Sequence, residues 1–277
     1  MKGCVLTMNT KDIIDFYLDG NSLKSCHRKF KISEYKIKKI LNNNNIAIRN
    51  RGEQLILENI RRSKNVNHSF FNELNTTNVY IIGFLAGDGY VHPTRNLIKI
   101  GLSAKDRLFL ETIKKTMNIE RDILEYQTNK GYDVIELSFS SVLIKQTLAK
   151  YSVINNKTTK GVTMQQIPSD LKWHYIRGFF DADGSYYYNN THRVKISSFH
   201  PRILNEIQDF VKKGTIYHLT KNRNIYSFEL NGDDAIFFMN NIYQGKCLYL
   251  PRKYKKFIEN YNTHETGTPQ NEDEKVC

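Results

Sequence analysis

The sequence contains few cysteines, and their positions fit no disulfide or metal-binding pattern. The four stand at positions 4, 26, 247 and 277, without a CxxC pair or any regular spacing. Scattered cysteines of this kind argue against a disulfide framework and against a zinc site. They are typical of a protein that works in a reducing compartment.

Long apolar runs are also missing. No stretch approaches the roughly 18 residues needed to span a bilayer, and no secretory signal pattern opens the chain. With 277 residues and 40% hydrophobic content, the chain can instead bury one large core or two medium ones. We therefore predict a soluble protein without a membrane partner, located in the cytoplasm of a bacterial or phage-infected cell or in an organelle.

Acidic residues are scarce relative to basic ones. The chain has 28 Asp and Glu against 41 Lys and Arg, a formal charge of +13 at pH 7. Several of the acids lie in residues 262–277, so the rest of the chain is more basic still. An excess of this size indicates a polyanionic partner, most often nucleic acid, although a merely soluble basic protein would have the same composition.

An internal repeat organises the chain. Residues 78–90 read NVYIIGFLAGDGY, and residues 174–186 read HYIRGFFDADGSY. Asp183 follows Asp88 by 95 residues, which is long enough for each copy to begin its own small domain. Because the same order of helical and strand patterns follows both copies, we predict an α+β fold with two pseudo-symmetric αββαββα repeats, each containing an antiparallel sheet.

The two apolar copies are predicted to be helices that pack on each other. Glycine inside a helix costs on the order of 1 kcal/mol, yet the first copy holds Gly83 and Gly87, and the second has small residues at the same offset. Small residues four apart form a flat ridge, on which a second helix can pack closely. This packing would place Asp88 and Asp183 side by side. We expect Arg177, which interrupts the second helix, to lie on its outer face.

Two carboxylates at the ends of paired helices indicate a site for a cation. Each would sit at a helix C-terminus, where the dipole is negative, and beside a like charge. Carboxylate oxygens suit Mg²⁺ better than zinc, and the pair favours metal-assisted phosphodiester hydrolysis with one carboxylate per strand. Alternatively, Asp-Gly simply ends a helix and starts a hairpin. Its recurrence in a chain this basic favours the first interpretation.

On these residues the chain resembles the LAGLIDADG homing endonucleases in their two-repeat, single-chain form. In that family the motif helices pack at the repeat interface, and each repeat offers a curved antiparallel sheet to the DNA major groove. The resemblance implies cleavage across the minor groove, with Mg²⁺ held by Asp88, Asp183 and the backbone of Gly87 and Ala182, and with Mn²⁺ able to replace it. The motif has another acidic position two residues before the metal-binding aspartate. This position is variable in the family, and in the second copy it is Asp181.

That earlier position is Ala86 in the first copy, which leaves open whether the two strands are cut equally. The resemblance also implies an active-site lysine late in each repeat, and Lys157 and Lys253 are the candidates, at nearly the spacing of the aspartates. A cation there would stabilise a pentavalent phosphate or lower the pKa of an attacking water. Alternatively, each lysine only contacts a phosphate.

The first part of the chain has its own pattern. Residues 10–48 fit three short helices, with a tight second connection and a basic third helix, as in a helix-turn-helix DNA reader. A small helical bundle that merely docks on the main body is the alternative. The predicted DNA-binding residues are Lys36, Lys38 and Lys39 in this third helix and Lys99, Arg193, Lys195, Lys221 and Arg223 in the repeats.

The whole chain is thus predicted to be a monomeric, Mg²⁺-dependent endonuclease that binds and cuts double-stranded DNA at a specific site. A non-cleaving DNA-binding regulator or an RNA maturase on the same scaffold is the alternative, and the presence of both aspartates and both lysines favours the enzyme. The predicted domains are a helix-turn-helix domain at 1–48, a basic linker at 49–70, repeats at 71–160 and 161–262, and a disordered acidic tail at 263–277.

Overall fold

The structure is a computed structural model that describes residues 9–63, 66–219 and 224–266. The chain divides into two compact units, Met1–Lys64 and Asn65–Cys277. Within the described residues, no helix is long and apolar enough to cross a membrane.

The N-terminal unit is helical. Its first three helices enclose a small core, and serines begin two of them: the hydroxyls of Ser22 and Ser33 accept the main-chain N–H groups of Ser25 and Lys36. Serine at this position satisfies a donor that the helix itself leaves unpaired. The predicted three helices and their tight connection are present. The helices of the unit are α1 Thr10–Leu18, α2 Leu23–Phe30, α3 Glu34–Asn43 and α4 Arg51–Arg62.

Helix α4 occupies the segment that the sequence predicts to be a basic linker. Asn50 accepts the N–H of Glu53 at 3.0 Å, and the Glu53 carboxylate accepts the N–H of Asn50 at 2.8 Å, which forms a capping box. Arg61 then ties the helix to the unit by donating to Asn21 at 2.8 Å. The linker prediction is wrong here: basic and polar residues dominate the composition of the segment, but Ile56, Leu57 and Ile60 give it the apolar spacing of a helix.

The second unit contains two repeats with the predicted αββαββα order, each followed by one more helix. The first repeat consists of α5 Thr76–Asp88, β1 Gly89–Val91, β2 Leu97–Ser103, α6 Arg107–Thr116, β3 Leu124–Gln127, β4 Asp133–Ser140 and α7 Val142–Lys150, with α8 Lys157–Lys160 after it. The second consists of α9 Lys172–Asp183, β5 Gly184–Tyr188, β6 His192–Ser198, α10 Arg202–Val211, β7 Thr215–Leu219, β8 Ile225–Asn231 and α11 Asp233–Tyr243, with α12 Pro251–Tyr261 after it.

Each repeat forms one antiparallel four-stranded sheet, in the order β1-β2-β4-β3 or β5-β6-β8-β7. The registers correspond, since Gly89 lies opposite Ile100 and Gly184 lies opposite Ile196. In both central strands apolar residues alternate with polar ones, so one sheet face packs on the core and the other stays open. The predicted α+β fold with two pseudo-symmetric repeats is confirmed.

Helices α5 and α9 pack against each other at the centre of the unit. A β-carbon on Gly83 would lie 2.1 Å from the carbonyl oxygen of Tyr175, and one on Gly178 would lie 2.0 Å from that of Tyr80. No side chain fits at either distance, so glycine is what allows the two backbones to touch. The helix pairing predicted from the small residues is therefore present.

Candidate active site at the repeat interface

The candidate site lies where the two central helices end. Helix α5 ends at Asp88 and α9 at Asp183, and both side chains are exposed to solvent. The helices are still close at this end, because a β-carbon on Gly87 would lie 2.3 Å from that of Ala182 and 3.0 Å from a carboxylate oxygen of Asp183. The structure thus brings together two carboxylates that neither repeat could pair alone.

The surroundings of both aspartates disfavour their charged forms. Desolvation by the packed helix ends, and then the charge of Asp88, raise the pKa of Asp183 to about 6. Desolvation also raises the pKa of Asp88, although Lys157 and Lys253 oppose this. An arrangement of this kind favours a bound cation, which would hold both carboxylates ionised.

Lys157 lies against the end of α5. Its ammonium group donates to the carbonyl oxygens of Leu85 at 3.1 Å, Ala86 at 2.8 Å and Gly87. The last carbonyls of a helix have no partner within it, and a cation is favoured there by the helix dipole. Burial lowers the pKa of Lys157 to about 8, and Asp183 opposes this shift more strongly than Asp88 does.

Lys253 occupies the corresponding place at the end of α9. Its ammonium group donates to the carbonyl oxygens of Phe180 at 2.8 Å, Ala182 at 3.4 Å and Gly184. Burial lowers its pKa to about 8 as well, opposed first by the buried carboxylate of Asp181. The two lysines that the sequence singles out therefore have matching positions, one at each helix end.

A cavity of about 260 Å³ opens beside this group. Lys157 and Asp183 line it together with Ser197 and Ser198 of β6. A carboxylate and an ammonium group thus face the same space, whose other walls are partly apolar, including Val162 and Phe199.

The donor groups fit a hard divalent cation. Among the described residues, no cluster of three or more His, Cys, Asp or Glu could hold a metal ion. Two carboxylates alone leave coordination positions for substrate and water oxygens, which is how Mg²⁺ usually binds. The predicted backbone ligands, Gly87 and Ala182, already accept hydrogen bonds from the two lysines, so a metal would share these carbonyls with an ammonium group.

The predicted DNA-binding lysines of the sheets lie on the open faces and are paired with glutamates. Lys99 donates to both carboxylate oxygens of Glu136, at 2.9 and 3.1 Å, and Lys195 lies 2.9 Å from Glu229. Sequence reasoning missed the glutamates, although strict alternation along each strand would have placed them on the same face. Arg193 shares this face, and Lys36, Lys38 and Lys39 are exposed along α3. Lys221 and Arg223 lie outside the described residues.

Arg177 is not on the outer face of its helix, as predicted, but fully buried. Its Nε donates to the carbonyl oxygen of Leu248 and its Nη1 to that of Ile242, both at 2.9 Å. A buried charge requires such partners, and here they come from the end of α11 and from the connection between α11 and α12. The prediction is wrong because these carbonyls lie about 70 residues away in the chain and leave no trace in the sequence of the helix itself.

The second repeat matches a known protein family in its sequence. Residues 170–243, from the start of α9 to the end of α11, match the family model described as a LAGLIDADG-like domain. The second repeat is thus similar to LAGLIDADG-like domains. The family resemblance predicted from the two motif copies is thereby confirmed for this part of the chain.

Other proteins are similar to this chain over longer stretches. An uncharacterized protein of Methanocaldococcus jannaschii is 28% identical over 155 residues, so the chain spans about half the length, 54%, of the curated relative that it matches. The I-LtrWI LAGLIDADG homing endonuclease bound to target DNA matches 69% of this chain and 91% of its own, with 16% identity and a TM-score of 0.47. The I-GzeII LAGLIDADG homing endonuclease in complex with its DNA target matches 71% and 94%, with 13% identity and a TM-score of 0.46.

Proposed function

We propose that this chain is a monomeric, site-specific endonuclease of the homing type that cuts both strands of double-stranded DNA with the help of Mg²⁺. The observation that carries the proposal is the pairing of Asp88 and Asp183 at two touching helix ends, each with a lysine on the last carbonyls of its helix. One chain supplies both halves of the site, so a second copy is not needed.

In this proposal each aspartate serves one strand. Asp88 and Asp183 would hold the metal, which would supply charge neutralisation at the scissile phosphate and a lower pKa for the attacking water. Lys157 and Lys253 either stabilise the pentavalent phosphate as ammonium groups or exchange a proton with the attacking water. Their lowered pKa values, about 8, suit both roles near neutral pH.

The open sheet faces are the proposed DNA-binding surface of the repeats. They carry Lys99, Arg193 and Lys195, and the chain as a whole is strongly basic. In the N-terminal unit, α2, the tight connection and α3 have the order of a helix-turn-helix, with the exposed lysines of α3 available for phosphates or base edges. We propose that this unit extends the contact with the target.

The test is strand-resolved cleavage. The full chain is incubated with Mg²⁺ and a randomised plasmid library, and a duplex recovered from the cut molecules is labelled on both strands. Asp88→Asn and Asp183→Asn should each abolish the cut in one strand while DNA binding persists, and the double variant should cut neither. Double-strand cutting by the double variant would overturn the proposal. Binding without any cut by the unaltered chain would favour a regulator, and binding of RNA in preference to DNA would favour a maturase.

A further inference from the structure

A second carboxylate lies beneath the candidate site and does not face it. Asp181 precedes Asp183 by two residues in α9, and its side chain is buried. One of its oxygens accepts the hydroxyl of Tyr80 and the main-chain N–H of Leu250, both at 2.7 Å, and the other accepts the hydroxyl of Tyr243 at 3.0 Å. Three donors satisfy this carboxylate, so it is a fixed structural anchor.

The bond to Leu250 ties the anchor to the lysine of the second repeat. Leu250 is the last residue before α12, and its carbonyl accepts the N–H of Lys253 at 3.1 Å and of Tyr254 at 3.3 Å. No side chain caps the start of α12, so Asp181 supplies the polar contact that holds Leu250 on α9. Asp181 therefore fixes the main-chain position of Lys253, and with it the place that the ammonium group can reach.

Arg177 completes this attachment. It lies one turn before Asp181 on α9 and donates to the carbonyls of Ile242 and Leu248. We call Arg177 and Asp181 together the polar latch. The latch holds the end of α11 and the connection from α11 to α12 through groups of opposite charge, four residues apart on one helix.

The first repeat has no polar latch. The residues that correspond to Arg177 and Asp181, 95 positions earlier, are Ile82 and Ala86, whose side chains can neither donate nor accept a hydrogen bond. The ammonium group of Lys157 bonds to the carbonyls of its helix as that of Lys253 does, but its main-chain N–H, at the start of the four-residue helix α8, donates to the nearby carbonyl of Ile154 at 3.2 Å. The two lysines thus reach equivalent places by different means.

We propose that Asp181 is a positioning residue for Lys253, so that one half of the catalytic site depends on the polar latch and the other half does not. The catalytic consequence rests on the proposed function, but the positioning itself does not. Arg252 gives α12 a second anchor, because its Nε donates to both carboxylate oxygens of Asp106 at 3.0 and 3.1 Å. Breaking the latch is therefore expected to displace Lys253 without releasing the helix.

The first experiment measures this displacement in the protein alone. Acetic anhydride is added to the full chain, and mass spectrometry follows the acetylation rate of each lysine. Asp181→Leu should raise the rate at Lys253 several-fold and leave Lys157 unchanged, because only Lys253 loses its anchor. Asp181→Asn is the matched control. Its carbonyl oxygen can accept from Tyr80 and Leu250 and its amide can donate to Tyr243, so Lys253 should stay as protected as in the unaltered chain.

The second experiment measures the catalytic consequence on a duplex cut by the unaltered chain and labelled on both strands. Asp181→Leu should slow one strand about 10- to 100-fold, the usual effect of misplacing a catalytic group by about 1 Å, and leave the other strand within about twofold. Asp181→Asn should cut both strands at about the rates of the unaltered chain. If the charge of Asp181 mattered and not its hydrogen bonds, Asp181→Asn would slow the same strand as Asp181→Leu does.

The two readouts separate the possible failures. Unchanged acetylation of Lys253 in Asp181→Leu, or equal slowing of both strands, would overturn the positioning role. A chain that cuts no DNA but shows the expected acetylation pattern would refute the proposed function and leave the positioning role intact. Should Asp181→Leu fail to fold, as judged by circular dichroism, the smaller change Asp181→Ala, which also removes the bond to Leu250, is measured with the same acetylation readout, and an unchanged Lys253 rate there would count against the role.

Discussion

The two repeats share their backbone plan, but only the second has a carboxylate within its central helix pointing into the core. Tyr80 and Tyr175 occupy corresponding positions on α5 and α9, and both are fully buried. The hydroxyl of Tyr80 donates to Asp181 at 2.7 Å, whereas that of Tyr175 has no partner among the described residues, because the matching position is Ala86. The backbone pairing is therefore symmetric, and the buried polar contacts are not.

This difference separates two requirements of a duplicated fold. Under the proposed function, the helix contact and the helix-end aspartates must match, because each half-site would perform the same chemistry at the same place. The groups that hold the two lysines need not match. Lys157 is positioned by helix α8, whereas Lys253 is positioned by the polar latch. The comparison is tested most directly by substituting a residue in one repeat and then the corresponding residue in the other.

The largest effect is expected at the helix contact, where the repeats are alike. Gly83→Ala and Gly178→Ala each place a β-carbon about 2 Å from a carbonyl oxygen of the opposite helix, so the helices must separate. We expect each to lower the free energy of unfolding by about 3 kcal/mol, at the upper end for overpacking in a core. Urea unfolding measures this. Gly101→Ala is the control, because nothing lies within 4 Å of the added carbon, and it should change stability little.

A much larger cost at one of the two core glycines would show that the contact is less symmetric than its geometry. Such a result would mean that the stability of the interface depends mainly on the packing at one of the two glycines.

The next effect is expected at the tyrosine pair, where the repeats differ. Tyr80→Phe removes a donor from the buried carboxylate of Asp181 and should cost about 1 to 2 kcal/mol of unfolding free energy. Tyr175→Phe removes a buried hydroxyl without a partner in the described residues and should be neutral or stabilising. The two changes delete the same atom at equally buried sites, so equal costs in urea unfolding would contradict the asymmetry.

The parts of this arrangement that sequence predicts are those with a local pattern. The small residues of α5 and α9 and the Asp-Gly at each helix end are periodic signals, and they predict the helix contact and the paired Asp88 and Asp183. The polar latch leaves no such signal, since the partners of Arg177 and Asp181 lie 62 to 101 residues away in the chain and are mostly main-chain atoms. Helix α4 was missed for another reason: Ile56, Leu57 and Ile60 form an apolar stripe and Asn50 and Glu53 a capping box, but the basic residues around them favoured the interpretation as a linker.

A smaller effect is expected at the two helix-end aspartates in the absence of metal. The pKa of Asp183, about 6, lies above its ordinary value of 3.8, so ionisation opposes folding as the pH rises through this interval. Asp183→Asn should therefore stabilise the chain at pH 7 by about 1 kcal/mol, allowing for solvent screening, or roughly 2 to 4 °C in Tm. The gain should shrink between pH 6 and pH 4, where the carboxyl becomes protonated in both states.

Thermal unfolding in EDTA at pH 4, 6 and 7 measures this gain. Asp88→Asn is the matched variant, and its gain should be smaller because Lys157, Lys253 and Arg252 all act on Asp88 to oppose the rise in pKa. Added Mg²⁺ should stabilise the unaltered chain more than either variant. A loss of stability in Asp183→Asn at pH 7 would show that the carboxylate is not strained in the metal-free protein.

The smallest effect is expected on the open sheet faces, where both repeats pair a lysine with a glutamate but in different registers. Lys195 lies directly opposite Glu229, whereas Lys99 reaches Glu136 along a diagonal. Burial alone would raise the pKa of Glu229, but bonds from Lys195 and Ser227 hold it below its ordinary value. Glu229 therefore stays charged at neutral pH, and in the proposed DNA complex each glutamate would compete with phosphates for its lysine.

Glu136→Gln and Glu229→Gln should each release one lysine and tighten DNA binding several-fold, with little change in stability because partly exposed ion pairs contribute about 0 to 1 kcal/mol. The salt dependence of binding should steepen by about one phosphate contact per change. Fluorescence anisotropy between 50 and 200 mM KCl, without divalent metal, measures both. Glu111→Gln is the charge-matched control, since Glu111 pairs with Arg107 within α6, away from the open face, and should alter affinity less. Equal gains from all three would mean that total charge alone governs binding, and that neither sheet pair regulates access to its lysine.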